Sequence, residues 1–475
     1  MLSVNGQRTL KLLAVALVVV LFFSGIGLGY VVGYSRAIIS EQAKWTGGDW
    51  GKLNQVLLQI DNNFIFEYDR QKLEEGALRG LMESLGDPYS SFLTAKEIED
   101  MQIRLGAAYG GIGVQVTTVN KRVVILDVFP GSPAEAAGLI PGDQIVEVDG
   151  LNIEGMILEQ AVSYVRGEPG TVVALGIIRE GRQDVLQVNV TRADIPPLPS
   201  VSHEDLGSGI GYARISQFGI NTAAEFSEAL RELKSQGMKG LIVDIRGNPG
   251  GRVSAVYEIA RQLVPQGPIF YYVDKDGNKT NEFFSNLRSR DFEVVVLIDQ
   301  RSASASEILA GALKDTDGAT LVGKRSFGKG IVQGSFNVGT GGDAIMLTMA
   351  WYYTPSGNMI HGNGIQPHHE VEANDAILLP RLSYAGLLEL GSDDLRVELL
   401  QRMLKALGHD VQVTGVFDEA TQAAVSNFQR NNGLTGTGRV NQATTDRLNQ
   451  RWEVFKREAD AQLSKALEII RQKTN

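Results

Sequence analysis

The distribution of apolar residues predicts alternating strands and helices in the middle of the chain. Residues 294–298 are all apolar, which is typical of a buried strand, and residues 308–313 carry apolar side chains at helical spacing. A second buried-strand pattern, residues 240–245, is apolar apart from Asp244 and leads into a turn-forming sequence at residues 247–251. The pattern predicts an α/β core with turns at the ends of its strands.

Helical spacing dominates on both sides of this core. Between residues 50 and 105 the apolar positions follow a helical period until residues 87–89, Asp-Pro-Tyr, interrupt it, which predicts a small helical region. Beyond residue 390 the spacing predicts helices at residues 395–407 and 419–431. Residues 451–475 predict an amphipathic helix.

A long uncharged segment lies near the start of the chain. Residues 12–34 are 23 consecutive residues without a formal charge, which would span roughly 34 Å as a helix and could cross a bilayer. Arg8 and Lys11 precede the segment and Arg36 follows it, and no small-residue cleavage site is evident near its end. We therefore expect residues 1–40 to be a retained signal anchor.

Composition and charge narrow the chemistry. The chain has 475 residues, enough for several domains, and a formal charge of −10, which argues against nucleic-acid binding because phosphate contact requires clustered Lys and Arg. It has no cysteine, which excludes disulfides, thiol catalysis and Cys-based metal sites, and its five histidines are scattered. We expect neither a metal nor a cofactor.

A serine-rich turn follows the apolar run at residues 294–298. Among Ser302, Ser304 and Ser306, Ser304 is favoured because Ser304-x-x-Glu307 is a capping-box pattern that places it at a helix N-cap. The amide of Ala305 would then lie at the helix start, free to donate to an oxyanion. A plain capping role for Ser304 is the alternative.

Lys329 lies 25 residues after Ser304 and has the surroundings that a lysine base needs. A lysine accepts a proton only when neutral, so its pKa must fall below about 10.4, and burial away from carboxylates has this effect. No acidic residue lies within six positions of Lys329, and Gln333 could orient its amine without adding charge. A surface lysine in a glycine-rich turn is the alternative.

These two motifs together resemble a known family. Residues 302–308, Ser-Ala-Ser-Ala-Ser-Glu-Ile, and residues 327–333, Phe-Gly-Lys-Gly-Ile-Val-Gln, are similar to the signature of bacterial carboxyl-terminal processing proteases. The resemblance implies that Ser304 is the nucleophile, that Lys329 is the general base and that Gln333 supports the lysine.

The turn at residues 247–251 also resembles that family. The resemblance implies an oxyanion-binding amide at Gly250 or Gly251, with the amide of Ala305 as its partner. The crotonase superfamily has a related fold and also binds oxyanions through backbone amides. A crotonase-type acyl-transfer enzyme is therefore one alternative to a peptidase.

Residues 106–193 resemble a PDZ domain, which binds a peptide by strand addition and receives its terminal carboxylate in a glycine-rich loop. In this chain the resemblance places that loop at Gly111, Ile112, Gly113 and Val114. Arg166 is a candidate regulatory residue that could contact the catalytic domain or the substrate, and a solvated charge is its alternative. Residues 392–450 resemble a small peptidoglycan-binding domain.

We predict a multidomain α/β protein with a crotonase-like peptidase core. Its predicted parts are a signal anchor (1–40), a helical region (50–105), a PDZ domain (106–193), a serine peptidase core (194–375), a peptidoglycan-binding-like domain (392–450) and a C-terminal helix (451–475). In the resembling family the N-terminal helical region contributes to dimerisation, which implies a homodimer here.

The predicted function is a serine endopeptidase of the bacterial cell membrane whose catalytic part is extracytoplasmic. It would capture protein substrates by their C-termini through the PDZ domain and cleave them near that terminus with the dyad of Ser304 and Lys329, and its last domain would bind peptidoglycan. Besides the crotonase-type enzyme, a catalytically inactive scaffold that binds C-termini and cell wall is the second alternative.

Overall fold

The computed structural model describes residues 50–119, 121–182 and 184–474. The predicted anchor at residues 1–40 lies outside these ranges. Within them, none of the helices combines the length and the apolar character needed to cross a membrane.

The described residues belong to two compact units that meet at residues 77 and 78, and each is considered by itself. The first contains helix α1 (Trp50–Asn63) and the beginning of helix α2 (Arg70–Glu83). Phe64 packs edge-on against Phe66 and Tyr68, yet Phe64 and Phe66 remain exposed.

The second unit begins with the end of α2, strand β1 (Ser91–Leu93) and helix α3 (Ala95–Arg104). The helices predicted in residues 50–105 are therefore present, but the sequence pattern missed β1. This short strand pairs antiparallel with a strand some 250 residues later, Ser91 opposite Met346. The predicted helical region thus contributes to a sheet of the peptidase core.

The PDZ-like region has ten elements: β2 (Tyr109–Gly111), β3 (Val114–Val119), β4 (Arg122–Val128), α4 (Pro133–Ala136), β5 (Gln144–Val148), β6 (Leu151–Asn152), α5 (Leu158–Val165), β7 (Val172–Ile178), β8 (Leu186–Thr191) and β9 (Ala193–Ile195). The chain enters and leaves the region through the antiparallel pair β2 and β9, which marks it as an insertion. Its sheet has the order β3-β4-β5-β7-β8, so β3 is an edge strand within the described residues.

The peptidase core follows as an α/β segment. Its elements are β10 (Val201–Asp205), β11 (Ile210–Ile215), α6 (Thr222–Ser235), β12 (Gly240–Asp244), α7 (Val253–Leu263), β13 (Gly267–Asp274), β14 (Lys279–Ser285), β15 (Glu293–Ile298), α8 (Ala305–Asp315), β16 (Thr320–Gly323), β17 (Ile331–Val338), β18 (Asp343–Tyr353) and β19 (His369–Glu370). The predicted strands at residues 240–245 and 294–298 and the predicted helix after Ser304 are confirmed.

The central sheet has the order β10-β11-β12-β15-β16-β19, with parallel pairing from β11 onward. Helices α6, α7 and α8 pack on one face around residues such as Phe226, Ile259 and Leu309. Because the parallel strands end at one edge, the turns after β12 and β15 lie side by side. A second, antiparallel sheet joins β1, β18, β13 and β14, with β17 paired to β18.

The region beyond residue 375 is helical: a 3-10 turn (Asp375–Leu378), α9 (Leu395–Ala406), α10 (Glu419–Asn431), α11 (Gln442–Glu458) and α12 (Ala461–Thr474). The predicted helices at 395–407 and 419–431 are confirmed. Two buried glutamine side chains each bind the loop that follows their helix. They define two similar halves, with Gln401, Thr414 and Thr421 in one and Gln429, Thr437 and Thr444 in the other.

The expected single helix over residues 451–475 is divided in two. The first helix ends at Glu458, and Asp460 begins the next, because its side chain accepts a hydrogen bond from the Leu463 amide at 2.9 Å. Trp452, before the break, packs in the core of the helical module. The helix after the break, α12, covers the second face of the central sheet with Ala466, Ile469 and Ile470.

Replacement of Ile470 by Ala tests whether α12 is part of the peptidase core. The Ile470 side chain is fully buried against the sheet, so truncation should lower the free energy of unfolding by about 2–5 kcal/mol. Urea denaturation of the full chain measures this, with Arg471→Ala on the exposed face of the same helix as the control. Equal midpoints for both variants would contradict the packing described here.

Candidate active site

The three serines after β15 have different surroundings. The Ser302 hydroxyl donates to the Ile245 carbonyl at 2.8 Å, and the Ser306 hydroxyl donates to the Asn248 carbonyl at 2.9 Å. Both side chains are buried and fix the serine turn to the turn after β12. Ser304 is partly exposed, so it is the serine of this turn that a substrate can reach.

Ser304 is the N-cap of α8, as predicted, and its backbone is unusual. Its φ of 56° and ψ of −115° lie where residues other than glycine are rarely found, and such a conformation costs about 1–3 kcal/mol. The surrounding hydrogen bonds must offset that cost. A strained serine on a sharp strand-to-helix turn is a common arrangement for a nucleophile.

The carboxylate of Glu307 joins the serine turn to the lysine loop, which is the segment of residues 324–330 between β16 and β17. One oxygen, Oε2, accepts from the amides of Ser304 and Lys329, both at 2.8 Å. The other, Oε1, accepts from the Ser326 hydroxyl and the Gly328 amide, both at 2.6 Å. Since one oxygen binds both amides, the backbone nitrogens of Ser304 and Lys329 lie no more than about 5.6 Å apart, twice the bond length.

Glu307 is fully buried, and burial raises the pKa of its carboxyl while the hydrogen bonds around it oppose that rise. Four donors on the two oxygens keep the carboxylate solvated by protein dipoles in place of water. The sequence indicated Glu307 only as half of a capping box. Its bonds to the lysine loop could not be seen from local spacing.

Lys329 has the environment expected of a neutral amine. Its Nζ donates to Gln333 Oε1 at 3.2 Å, and it lies 4.8 Å from the centre of the Tyr89 ring. Burial lowers the pKa of Lys329 below the usual lysine value, and the charge of Asp87 opposes this effect. The Tyr352 hydroxyl bonds to the Lys329 carbonyl.

The glycine turn after β12 lies against the serine turn. A side chain at Gly250 would place its Cβ 2.8 Å from the Cβ of Ser304 and 3.1 Å from the amide nitrogen of Ala305, and a Cβ at Gly251 would lie 2.2 Å from the Phe218 carbonyl oxygen. With φ of 106° and 141°, both positions also favour glycine.

The hydrogen bonds of this turn distinguish the two glycines. The Gly250 amide donates to Asn248 Oδ1 at 2.9 Å and is therefore occupied. Gly251 is paired with Phe218 in a parallel bridge. The hydrogen bonds of that bridge are formed by the Gly250 carbonyl and the Arg252 amide, so the Gly251 amide points away from Phe218. In the ranges that the structure describes, no acceptor is assigned to the amides of Gly251 and Ala305.

Asn248 is a residue that the sequence did not single out. Its side chain donates to the Ile215 carbonyl at 3.0 Å and accepts from Gly250, and its carbonyl accepts from the Ala303 amide at 3.0 Å. It thereby fixes the glycine turn to both β11 and the serine turn. Asn in a Gly-rich turn after a buried strand is the only signal that could have indicated it.

A buried ion-pair network supports the same turn from the other side. Arg246 bonds to Asp244 and also to Asp460, which lies at the start of α12. Nearby cations hold the pKa of the fully buried Asp244 to about 2, with Arg246 as the largest favourable contribution against the cost of burial. Removing one partner from such a pair leaves an uncompensated buried charge.

The PDZ loop lines a cavity of about 560 Å³. Within the described ranges the amides of Ile112 and Gly113 are assigned no acceptor, while their carbonyls accept from Ala134 and Phe129 at 2.9 Å. The cavity is bordered by the edge strand β3, by helix α5 and by α3; the four predicted loop residues among its lining are Gly111, Ile112, Gly113 and Val114.

Arg166 caps the end of α5 next to this cavity. Its guanidinium pairs with Asp100 of α3 at 2.9 Å and lies 4.9 Å from the centre of the Tyr109 ring. It is about one-third exposed, so it is not a freely solvated charge. The structure does not bring it to Ser304; it connects the PDZ region to α3.

Sequence comparisons agree with this geometry. The family described as peptidase family S41 matches residues 209–371, a PDZ domain matches residues 124–179 and a putative peptidoglycan-binding domain matches residues 393–448. The N-terminal domain of the activating protease CtpB matches residues 34–97. Carboxy-terminal processing protease CtpA of Bacillus subtilis is 32% identical over 98% of this chain and 99% of its own length. The chain belongs to this family of carboxy-terminal processing proteases.

Other relatives have the same character. Carboxy-terminal processing protease CtpB of B. subtilis is 36% identical over 88% of each chain. A solved structure of a photosystem II D1 C-terminal processing protease matches 69% of this chain and 87% of its own at 32% identity, with a TM-score of 0.41. This carboxy-terminal processing protease is therefore a serine-type peptidase with a PDZ domain and a peptidoglycan-binding domain.

Replacement of Glu307 by Gln tests the carboxylate that joins the two loops. The amide nitrogen of Gln cannot accept hydrogen bonds, so two donors lose their acceptor, and we expect the free energy of unfolding to fall by roughly 2–4 kcal/mol. Misplacement of the two loops should lower kcat/KM about 100-fold. Thermal melts and peptidase assays of Glu307→Gln measure both effects.

Glu372→Gln is the control for this substitution, because Glu372 pairs with Lys324 at the surface and such pairs contribute little. If Glu307→Gln kept the stability and the activity of this control, the carboxylate would have no role in holding the site.

Proposed function

We propose that Ser304 and Lys329 form the catalytic dyad of this protease. The observation that carries the proposal is that one oxygen of Glu307 binds the backbone amides of both residues, which brings the partly exposed, strained Ser304 close to the loop of a lysine whose pKa is lowered by burial. In the first step Ser304 Oγ bonds to the carbonyl carbon of the substrate while its proton moves to the neutral Nζ of Lys329. Gln333 orients that nitrogen through its Oε1.

The amides of Gly251 and Ala305 are the proposed oxyanion donors. When Ser304 attacks, the electron pair of the carbonyl moves to its oxygen, and two preorganised amides would stabilise the negative charge. This assignment rests on their unused donors and on the bond that occupies the Gly250 amide. The intermediate then collapses as the peptide C–N bond breaks and Lys329 gives its proton to the leaving amine. A water molecule then attacks the acyl-enzyme while Lys329 takes its proton, and Lys329 returns a proton to Ser304 Oγ as the acyl group leaves.

The substrate is proposed to be a protein whose C-terminus is held by the PDZ domain. The amides of Ile112 and Gly113 can donate to a terminal carboxylate, and the edge strand β3 can pair with the residues before it. Cleavage would then occur in the segment that precedes the captured end. Arg166 is proposed to be a regulatory residue that couples peptide binding in the PDZ cavity to the position of α3, because it lines the cavity and pairs with Asp100 of α3.

The cellular setting is also proposed. The uncharged segment at residues 12–34 supports a single membrane anchor, and the peptidoglycan-binding domain supports an extracytoplasmic position in the bacterial cell envelope. A homodimer through the N-terminal helices is supported by the apolar side chains that α1 leaves exposed, among them Val56 and Leu58.

Cleavage of an unfolded protein substrate tests the dyad. Ser304→Ala and Lys329→Ala should each abolish cleavage, because one removes the nucleophile and the other the proton acceptor. Lys329→Arg should be equally inactive, since its charge is permanent and it cannot act as a base. Mass spectrometry of the products measures this, and cleavage by both Ala variants would overturn the dyad.

A pair of peptides tests capture by the PDZ loop. A peptide with a free C-terminal carboxylate should be cleaved with a KM about tenfold or more below that of the same peptide with a C-terminal amide, because the loss of charge weakens the bonds from the loop amides. The kcat should change less, since the loop does not contact the reacting bond. Identical KM values would exclude recognition of the terminal carboxylate.

A further inference from the structure

Tyr89, from the N-terminal part of the second unit, contacts the proposed base with its ring and contacts Gln333, the hydrogen-bond partner of that base, with its backbone. The carbonyl of Tyr89 accepts a hydrogen bond from Gln333 Nε2, and Gln333 in turn accepts from Lys329 Nζ. The aromatic ring of Tyr89 lies with its centre 4.8 Å from the same Nζ. The backbone of this residue therefore orients the lysine through Gln333, and its ring contacts the lysine directly.

The segment that carries Tyr89 is firmly held. Asp87 accepts from the Tyr89 amide at 3.1 Å and from the Ser90 hydroxyl at 2.6 Å, and that hydroxyl accepts from the Thr348 amide of β18 at 3.0 Å. Strand β1 then pairs with β18. The backbone that carries the ring of Tyr89 is thus fixed relative to β18.

A lysine base makes two opposing demands on its surroundings. It must be neutral before the reaction, yet it becomes an ammonium ion when it takes the proton of Ser304. A carboxylate beside Nζ would stabilise the ammonium so strongly that no neutral base would remain. The face of an aromatic ring is a weaker partner, because its quadrupole attracts a cation without carrying a charge.

We propose that Tyr89 is a positioning residue of the reaction, whose ring stabilises the ammonium of Lys329 as it forms. The inference rests on the proposed dyad. The titratable groups that face this region are Asp87 on the same turn, Glu307 and Tyr352 on the peptidase core, and His361, whose ring meets Tyr89 edge-on at 6.3 Å. Burial lowers the pKa of Lys329, and of these groups the charge of Asp87 opposes that effect, the lowering by burial being the larger.

Substitutions at position 89 separate the ring from the backbone. Tyr89→Leu removes the ring but retains the carbonyl that binds Gln333, and Tyr89→Phe retains both. Without the ring the ammonium loses a favourable contact, so the pKa of Lys329 should fall by about half a unit to one unit. The acidic limb of the kcat/KM profile should move to lower pH by the same amount, and kcat should drop about three- to tenfold.

Two measurements on the full chain test the proposal. One is the pH profile of kcat/KM for the wild type, Tyr89→Phe and Tyr89→Leu. The other is the pH dependence of acetylation of Lys329 by trace acetic anhydride, followed by mass spectrometry in the Ser304→Ala background, which reads the amine without any catalysis. Tyr89→Met serves as the ring-free variant if Tyr89→Leu fails to fold.

The proposal predicts that the pKa of Lys329 read from each measurement is lower in the ring-free variant than in the wild type, and that Tyr89→Phe keeps the wild-type value in both. If the ring-free variant showed the wild-type pH profile of kcat/KM and the wild-type acetylation curve, the role of the ring would be overturned, while the dyad would stand. If Lys329→Ala kept its activity, the dyad itself would fail, whatever the result at Tyr89.

Discussion

The buried carboxylate of Glu307 is the interaction on which the geometry of the catalytic centre depends. It binds the amides of Ser304 and Lys329 on one oxygen, so the turn that carries the proposed nucleophile and the loop that carries the proposed base share one anchor. The strain at Ser304 is tolerated because this anchor and the bonds of Ser302 and Ser306 fix the turn from both sides. The charge of Glu307 is stable in the core only while its donors stay in place.

Parts of the chain that are far apart in sequence complete this centre. The PDZ domain is an insertion between β2 and β9, and the peptidoglycan-binding domain lies between β19 and α12. Helix α12 returns to cover the central sheet, and Asp460 at its start pairs with Arg246 ahead of the glycine turn. The peptidase core therefore includes the last helix of the chain, and removal of residues 461–474 would expose an apolar face of its sheet.

The sequence predicted those features that depend on local spacing. The strands that lead to the two turns, the helix after Ser304 and the first two helices of the last module follow from periodicity, whereas the start of α11 at Gln442 was not predicted. Long-range contacts could not be predicted in this way: Tyr89 and Gln333 are 244 positions apart, and the carbonyls that engage Ser302 and Ser306 belong to another turn. An amphipathic pattern at residues 461–474 shows that one face is buried, but not which surface it covers.

The most direct test of the account is the site of covalent attack. A fluorophosphonate that reacts with activated serines should form one adduct, which peptide mapping by mass spectrometry should locate at Ser304, and Lys329→Ala should prevent its formation. Ser302 and Ser306 should remain unmodified because their hydroxyls are buried and donate to backbone carbonyls. An adduct on Ser302 or Ser306, or labelling of Ser304 that is equally fast without Lys329, would contradict the account.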